Sequence, residues 1–316
     1  MSPERRLSRE EVETYERDGV VCLRQALPTE WVKVLSETIA QVEQNYRASK
    51  AAGTERDTAM DVVMDRSHLR PLSVLGELAE KLGGSVLSEP ERDGSDGEFI
   101  LVNNAVLDYG GIRRLASESP LPSLAGQLFG SDKVNFVFDQ IFVKEPGALS
   151  RTAFHQDQSY FKVDGEQVAS FWTACEPVDQ TTGAMGYVRG SHRWPMYAPN
   201  LFVSQTTGPT HGLDRLPDIE ADEDQFDVVY FDVEPGDVIV HHYRTAHGSR
   251  GNISADRPRR SVSIRYGGDD VTFLDRPTAP AEFPVDPHVT NGDPLDSDTF
   301  PVVWRRDRSQ TNHKPG

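Results

Sequence analysis

Cysteine is nearly absent: Cys22 and Cys175 are the only two in 316 residues. Two thiols are too few for a disulfide framework or a thiolate zinc site, so ordinary thiols in a reducing compartment are expected. Long apolar runs are missing too, and no stretch reaches the length that spans a bilayer. The opening MSPERRLSREE lacks the apolar core of a signal peptide, which makes a cytoplasmic location the expectation. Basic charge is scarce. Lys and Arg number 33 against 50 Asp and Glu, for a net charge of -17, which disfavours a nucleic-acid groove or an anionic membrane surface. Neither nucleic acid nor a membrane is therefore an expected partner, and the oligomeric state is left open. No internal repeat and no low-complexity tract interrupts the chain.

What is present is a turn-rich composition, with 25 Gly and 21 Pro, in a chain long enough for one elaborated domain. Ser8 and Glu11 have the form of a capping box, predicting a helix to about Asp18 that Gly19 ends. Val20, Val21 and Leu23 form a short strand, and Pro28-Thr29-Glu30 opens a second helix. Trp31, Val34, Leu35, Ile39 and Val42 give that helix an apolar stripe expected to face the core. A possible helix at Leu75 to Leu82, a mobile loop at Glu89 to Gly97, a strand at Phe99 to Val102 and a helical region at Ile112 to Phe129 follow.

From Val134 the texture changes to short β-branched or alternating runs between Gly and Pro turns. These are Val134 to Lys144, Gln167 to Ala174, Gly186 to Val188, Val228 to Phe231, Asp237 to His241 and Ser261 to Tyr266. Such spacing argues for an antiparallel sandwich or barrel, with the helical first third packed outside. One domain over 1–316 is expected: a mostly helical part (1–133), a β core (134–266) and a C-terminal extension (267–316) read as an extended wrap.

Three segments carry chemistry. In Phe154-His155-Gln156-Asp157, a strand would present an imidazole and a carboxylate on one face, two metal ligands together. In His241-His242-Tyr243-Arg244-Thr245-Ala246-His247-Gly248-Ser249, after the turn Glu234-Pro235-Gly236-Asp237, His247 is the choice for a third ligand. That would complete a two-His, one-carboxylate face suited to Fe(II), with three positions open. His241 and His242 lie upstream, at least one of them packing under or beside the site. In Arg257-Pro258-Arg259-Arg260, a guanidinium beside the metal can hold a carboxylate through two parallel hydrogen bonds.

The order H-x-D, Gly190-Ser191-His192, Pro235-Gly236-Asp237, then His247-Gly248-Ser249 with Asn252 and an Arg pair resembles the phytanoyl-CoA dioxygenase-like family of Fe(II)/2-oxoglutarate oxygenases. His155-Gln156-Asp157-Gln158-Ser159-Tyr160-Phe161, Phe171-Trp172-Thr173-Ala174 and Asp18-Gly19-Val20-Val21 are similar to segments of that family. The likeness spans about residues 8–266.

The resemblance implies a mainly β fold with flanking helices around a double-stranded β-helix core of the jelly-roll, cupin-like kind. It makes His155, Asp157 and His247 the iron ligands, with 2-oxoglutarate and O2 as cosubstrates. It places Arg259 on the far carboxylate of 2-oxoglutarate, although one extra residue after Asn252 keeps Arg260 and Arg257 in play; alternation favours Arg259, which shares a face with Ser261 and Ser263. Trp172, Ser249 and Gln140 match cosubstrate-pocket positions. His192 is expected at a turn or pocket edge, and His68, His211, His288 and His313 in loops.

The expected activity is hydroxylation of an unactivated C–H bond in a small metabolite or natural-product intermediate, yielding succinate and CO2. Asp157 in the carboxylate position disfavours a halogenase. The competing expectations are a non-catalytic binding protein of the same shape and a cupin-like metalloenzyme that does not use 2-oxoglutarate.

Overall fold

The computed structural model describes residues 5–52, 97–200, 210–280 and 283–307. The expected helix at 75–82 and all but the end of the loop at 89–97 lie outside them.

Helix α1 (Arg9–Asp18) begins on the Ser8–Glu11 capping box and ends at Gly19, whose φ of 73° is left-handed. A side chain at Gly19 would also meet the His192 ring at 2.3 Å, so both conformation and space require glycine here. Strand β1 (Val20–Leu23) and helix α2 (Thr29–Ala51) follow. Leu35, Ile39 and Val42 are buried and Trp31 packs partly buried on the core, but Val34 stays half-exposed outside it.

After β2 (Phe99–Asn103) come α3 (Ala105–Asp108), α4 (Gly110–Glu118) and α5 (Leu121–Phe129). The expected single helical region is thus broken. Ser119, ahead of Pro120, is extended with ψ 174°, because the proline ring disfavours a helical residue before it.

The β elements are β3 (Lys133–Lys144), β4 (Thr152–His155), β5 (Val163–Asp164), β6 (Val168–Ala174), β7 (Met185–Val188), β8 (Val228–Tyr230), β9 (Val238–His242), β10 (His247–Ser249), β11 (Arg259–Gly267), β12 (Thr272–Phe273) and β13 (Val302–Arg305). A large antiparallel sheet runs β1-β9-β6-β11-β3-β13, with β2 also on β3, and a smaller one runs β4-β10-β7-β8. The expected extended wrap therefore contains a sheet strand: β13 pairs with the start of β3, and Trp304 lies against Gly126 of α5. The two sheets form the jelly-roll core of a double-stranded β-helix.

Two apolar layers hold the assembly. Leu35, Ile39, Ile112, Leu115 and Leu124 of the helices pack on Ile141, Val143, Val262 and Ile264 of the large sheet. Between the sheets, Trp172 and Ile239 of the large one meet Met185 and Tyr187 of the small one. Among the described residues, no helix is long and apolar enough to cross a membrane.

Candidate metal centre

His155 ends β4 and His247 opens β10, and the two are register partners across the small sheet, with ring centroids 4.4 Å apart. Asp157 does not share their strand. The strand stops at His155, and Asp157 opens a one-turn 3-10 helix, Asp157–Tyr160. Backbone and side-chain bonds pin that turn: Gln158 N–H donates to Tyr243 O at 2.9 Å and Gln156 Nε2 to Arg244 O at 3.0 Å. The turn replaces the expected strand alternation and brings one ligand atom from each of His155, Asp157 and His247 within 4.8 Å of the others, all buried.

Both imidazoles are oriented alike. The Nδ1 of His155 lies 2.8 Å from Ala153 O, and that of His247 lies 2.8 Å from Thr245 O. Since a carbonyl only accepts, each Nδ1 carries the proton and each Nε2 presents its lone pair. Asp157 Oδ1 lies 3.7 Å from His155 Nε2 and 3.9 Å from His247 Nε2. Burial alone would raise the Asp157 carboxyl, but the Arg265 charge and contacts with His155 and His241 outweigh it and hold the group well below its ordinary range. Burial, with His241 and His155 nearby, keeps His247 neutral well below the usual imidazole value. Two imidazoles and one carboxylate fit a divalent iron with open positions.

A cavity between the sheets is lined by the two ligand imidazoles, His155 and His247, together with Gln140, Trp172, His241, Arg259, Ser263 and Arg265. Arg259 of the lining and Lys144 are register partners, and both are fully buried. Lys144 Nζ donates to Ser249 Oγ at 2.9 Å and to Arg250 O at 2.7 Å. Arg259 Nη1 donates to Gly183 O, while its Nε, Trp172 Nε1, Ser263 Oγ and Tyr187 Oη are buried with no partner among the described residues. Burial lowers Arg259 to about 10; burial and then the Arg259 charge push Lys144 well down. A buried guanidinium, a buried lysine amine and several unspent donors form a cradle for an anion.

The neighbouring arginines face elsewhere. Arg260, on the opposite face of β11, pairs with Glu43 and Glu176 at 2.9 Å each, and Arg257 pairs with Asp179 at 2.9 Å. Gln140 lines the cavity, but its amide is engaged: Nε2 donates to Asn103 Oδ1 at 2.7 Å and Oε1 accepts from Arg265 Nη2 at 2.6 Å. His192 stands apart, its ring 5.7 Å from that of His242. His211 and His288 are exposed, and His68 and His313 lie outside the described residues.

Neither Lys144 nor Arg265 was singled out from the sequence, whereas His241 is the one of the expected pair that packs beside the site. The alternation that picked Arg259 contains the missing signal: one face of β11 reads 259, 261, 263, 265, and one face of β3 reads 138, 140, 142, 144. His241 is buried with both ring nitrogens unpartnered, its Nε2 3.6 Å from Asp157 Oδ2.

Fold and site together define a jelly-roll protein with a two-His, one-Asp metal face inside the barrel. The phytanoyl-CoA dioxygenase (PhyH) family model matches residues 15–261, and the chain belongs to that family. A "Probable phytanoyl-CoA dioxygenase" from Caenorhabditis elegans is 26% identical over 150 residues, covering 46% of each protein; the chain spans about half the length of that curated relative.

Among solved structures, the fold is similar to that of the non-heme alpha ketoglutarate dependent epimerase SnoN from nogalamycin biosynthesis. Its complex with Fe3+, alpha ketoglutarate and nogalamycin RO is 24% identical, with a TM-score of 0.61, covering 93% of this chain and 98% of that one. The carbocyclase SnoK from the same biosynthesis is 24% identical, with a TM-score of 0.57, covering 94% and 97%. EctD from S. alaskensis with bound Fe is 18% identical, with a TM-score of 0.55, covering 93% and 90%.

Proposed function

We propose that this protein is an Fe(II)/2-oxoglutarate-dependent dioxygenase that hydroxylates a C–H bond of a small metabolite or natural-product intermediate. The observation that carries the reading is the His155–Asp157–His247 face at a cavity that His155, His247 and Arg259 all line, with Lys144 the register partner of Arg259. When bound, iron supplies activation of O2 with 2-oxoglutarate as the electron source, giving succinate and CO2 and oxidising one substrate bond.

The chain's own residues do the rest. His155 and His247 hold their lone pairs inward through Nδ1 bonds to their own strands, and Asp157 stays ionised as the third ligand. Arg259 and Lys144 hold the far carboxylate of the cosubstrate, with Ser249 fixing the lysine and Trp172 closing one wall. Burial between the sheets excludes water and strengthens each of these attractions. A small substrate rather than an acyl-CoA is supported by the acidic chain, in which Arg257–Arg260 is the one conspicuous basic run. Residues 1–133, 134–266 and 267–316 act as one unit, a reading supported by β1, β2 and β13 all pairing into the same large sheet as β3.

The test is an anaerobic titration of metal-free protein with Fe(II) and 2-oxoglutarate, watching for the weak visible charge-transfer band of the chelate. A band that disappears in His155→Ala supports the reading. No band from folded protein would sink it in favour of a non-catalytic jelly roll or a metalloenzyme without 2-oxoglutarate.

A further inference from the structure

The large sheet places Phe138, Arg265, Ser170 and His241 side by side in one register row across β3, β11, β6 and β9. Three of the four converge on a single atom, Oδ2 of Asp157. Ser170 Oγ donates to it at 2.7 Å, His241 Nε2 stands 3.6 Å away and Arg265 Nε 3.8 Å away. The other oxygen, Oδ1, faces the two ligand imidazoles.

Arg265 is held in place from every side. Its guanidinium sits 5.5 Å from the ring centres of both Phe138 and Phe161, Nη2 bonds Gln140 Oε1 at 2.6 Å and Nη1 bonds Ser263 O at 3.2 Å. A buried arginine serving only to neutralise an acid would close a bidentate pair with it. Arg265 is instead tied to Gln140, the aromatic pair and its own strand, with Nε facing Oδ2.

We infer that Ser170 and Arg265 are positioning residues that hold Asp157 to the metal through Oδ1 alone by occupying Oδ2, with His241 closing the third side. The inference rests on the metal-centre reading above. Its consequence is that an open position is kept from the carboxylate's second oxygen and left to cosubstrate and O2.

The test uses Co(II), without 2-oxoglutarate or O2, titrated into metal-free full-length protein and into Ser170→Ala, Arg265→Met and Arg265→Lys. Affinity is read by calorimetry, coordination number by the visible d–d bands and folding by near-UV circular dichroism. Loss of an outer-shell partner typically costs roughly 10- to 100-fold in metal affinity. Ser170→Ala and Arg265→Met are expected to weaken binding by at least about 10-fold and to change the band intensities, with Arg265→Lys restoring part of both.

Removing a positive charge beside the site would, by Coulomb attraction alone, tighten a divalent cation. Tighter binding in Arg265→Met would therefore overturn the inference and leave Arg265 as an opposing charge. Unchanged affinity and bands in folded Ser170→Ala would overturn it as well. If the unmodified protein binds no Co(II), the metal-centre reading fails, and this inference with it. Ser170→Ala removes one hydroxyl, so a misfolded Arg265→Met does not end the test.

Discussion

Arg259 and Lys144 are register partners across β11 and β3, fully buried, and their side-chain hydrogen bonds go to Gly183 O, Ser249 Oγ and Arg250 O rather than to a carboxylate among the described residues. Burying two basic groups side by side costs folding free energy, which lowers the Lys144 pKa. On the proposed reading, a dianionic cosubstrate would relieve that cost. Arg259→Ala is expected to raise the KM for 2-oxoglutarate by roughly 30-fold, the equivalent of about 2 kcal/mol for one member of a buried charge pair. Arg260→Ala, which loses only Glu43 and Glu176, should leave that KM unchanged. Steady-state kinetics with varied 2-oxoglutarate checks both.

Each metal-face residue is expected to be indispensable. His155→Ala, Asp157→Ala and His247→Ala should abolish both high-affinity Fe(II) binding and turnover. Full activity in His247→Ala, measured as succinate release, would refute the assignment.

Asp139 gives a pH signature away from the site. Its carboxyl lies behind the large sheet, accepts Val106 N–H at 3.0 Å and is pushed by burial up to about 7. Folding raises this acid above its ordinary value of 3.8, so the folded protein holds the extra proton and stability falls as pH rises from 3.8 through 7. Asp139→Asn keeps the acceptor and removes the decline. Denaturant melts at pH 8 should show a gain of at most about 4 kcal/mol, and melts near pH 4 should show little.

Gly126 marks where the C-terminal strand docks. A Cβ there would meet the Trp304 ring at 2.2 Å. Gly126→Ala is expected to destabilise the fold by about 1–3 kcal/mol through overpacking, read as a lower Tm. Shortening Trp304 to Leu in the same chain should recover part of it.

The sequence displayed strands well where alternation or β-branching was dense. The extents of β3, β6, β9 and β11 fall within about two residues of those expected. Val302–Arg305 was not legible, because four residues among prolines and aspartates carry too little period, and their strand state comes from the open edge of β3. The H-x-D pair was legible as ligands but not as geometry: its convergence depends on Tyr243 O and Arg244 O, some 85 residues away. Arg259 could be chosen from its neighbours because strand faces alternate. Arg265 lies on the same face, the next position after Ser263. His241 was legible only as one of two histidines under or beside the site; which of the two meets Asp157 is set by the β9–β6 pairing.

The opposed positions of His155 and His247 have a consequence for the lifetime of the protein. They lie about ninety residues apart in the chain, and a metal held by both closes that loop like a staple. Its binding energy is then folding energy, about 2.7 kcal/mol when free metal stands at a hundred times its Kd. Iron loss would thus do more than stop turnover. It would loosen the β4–β10 seam, so that the spent, demetallated enzyme becomes the one a protease removes first.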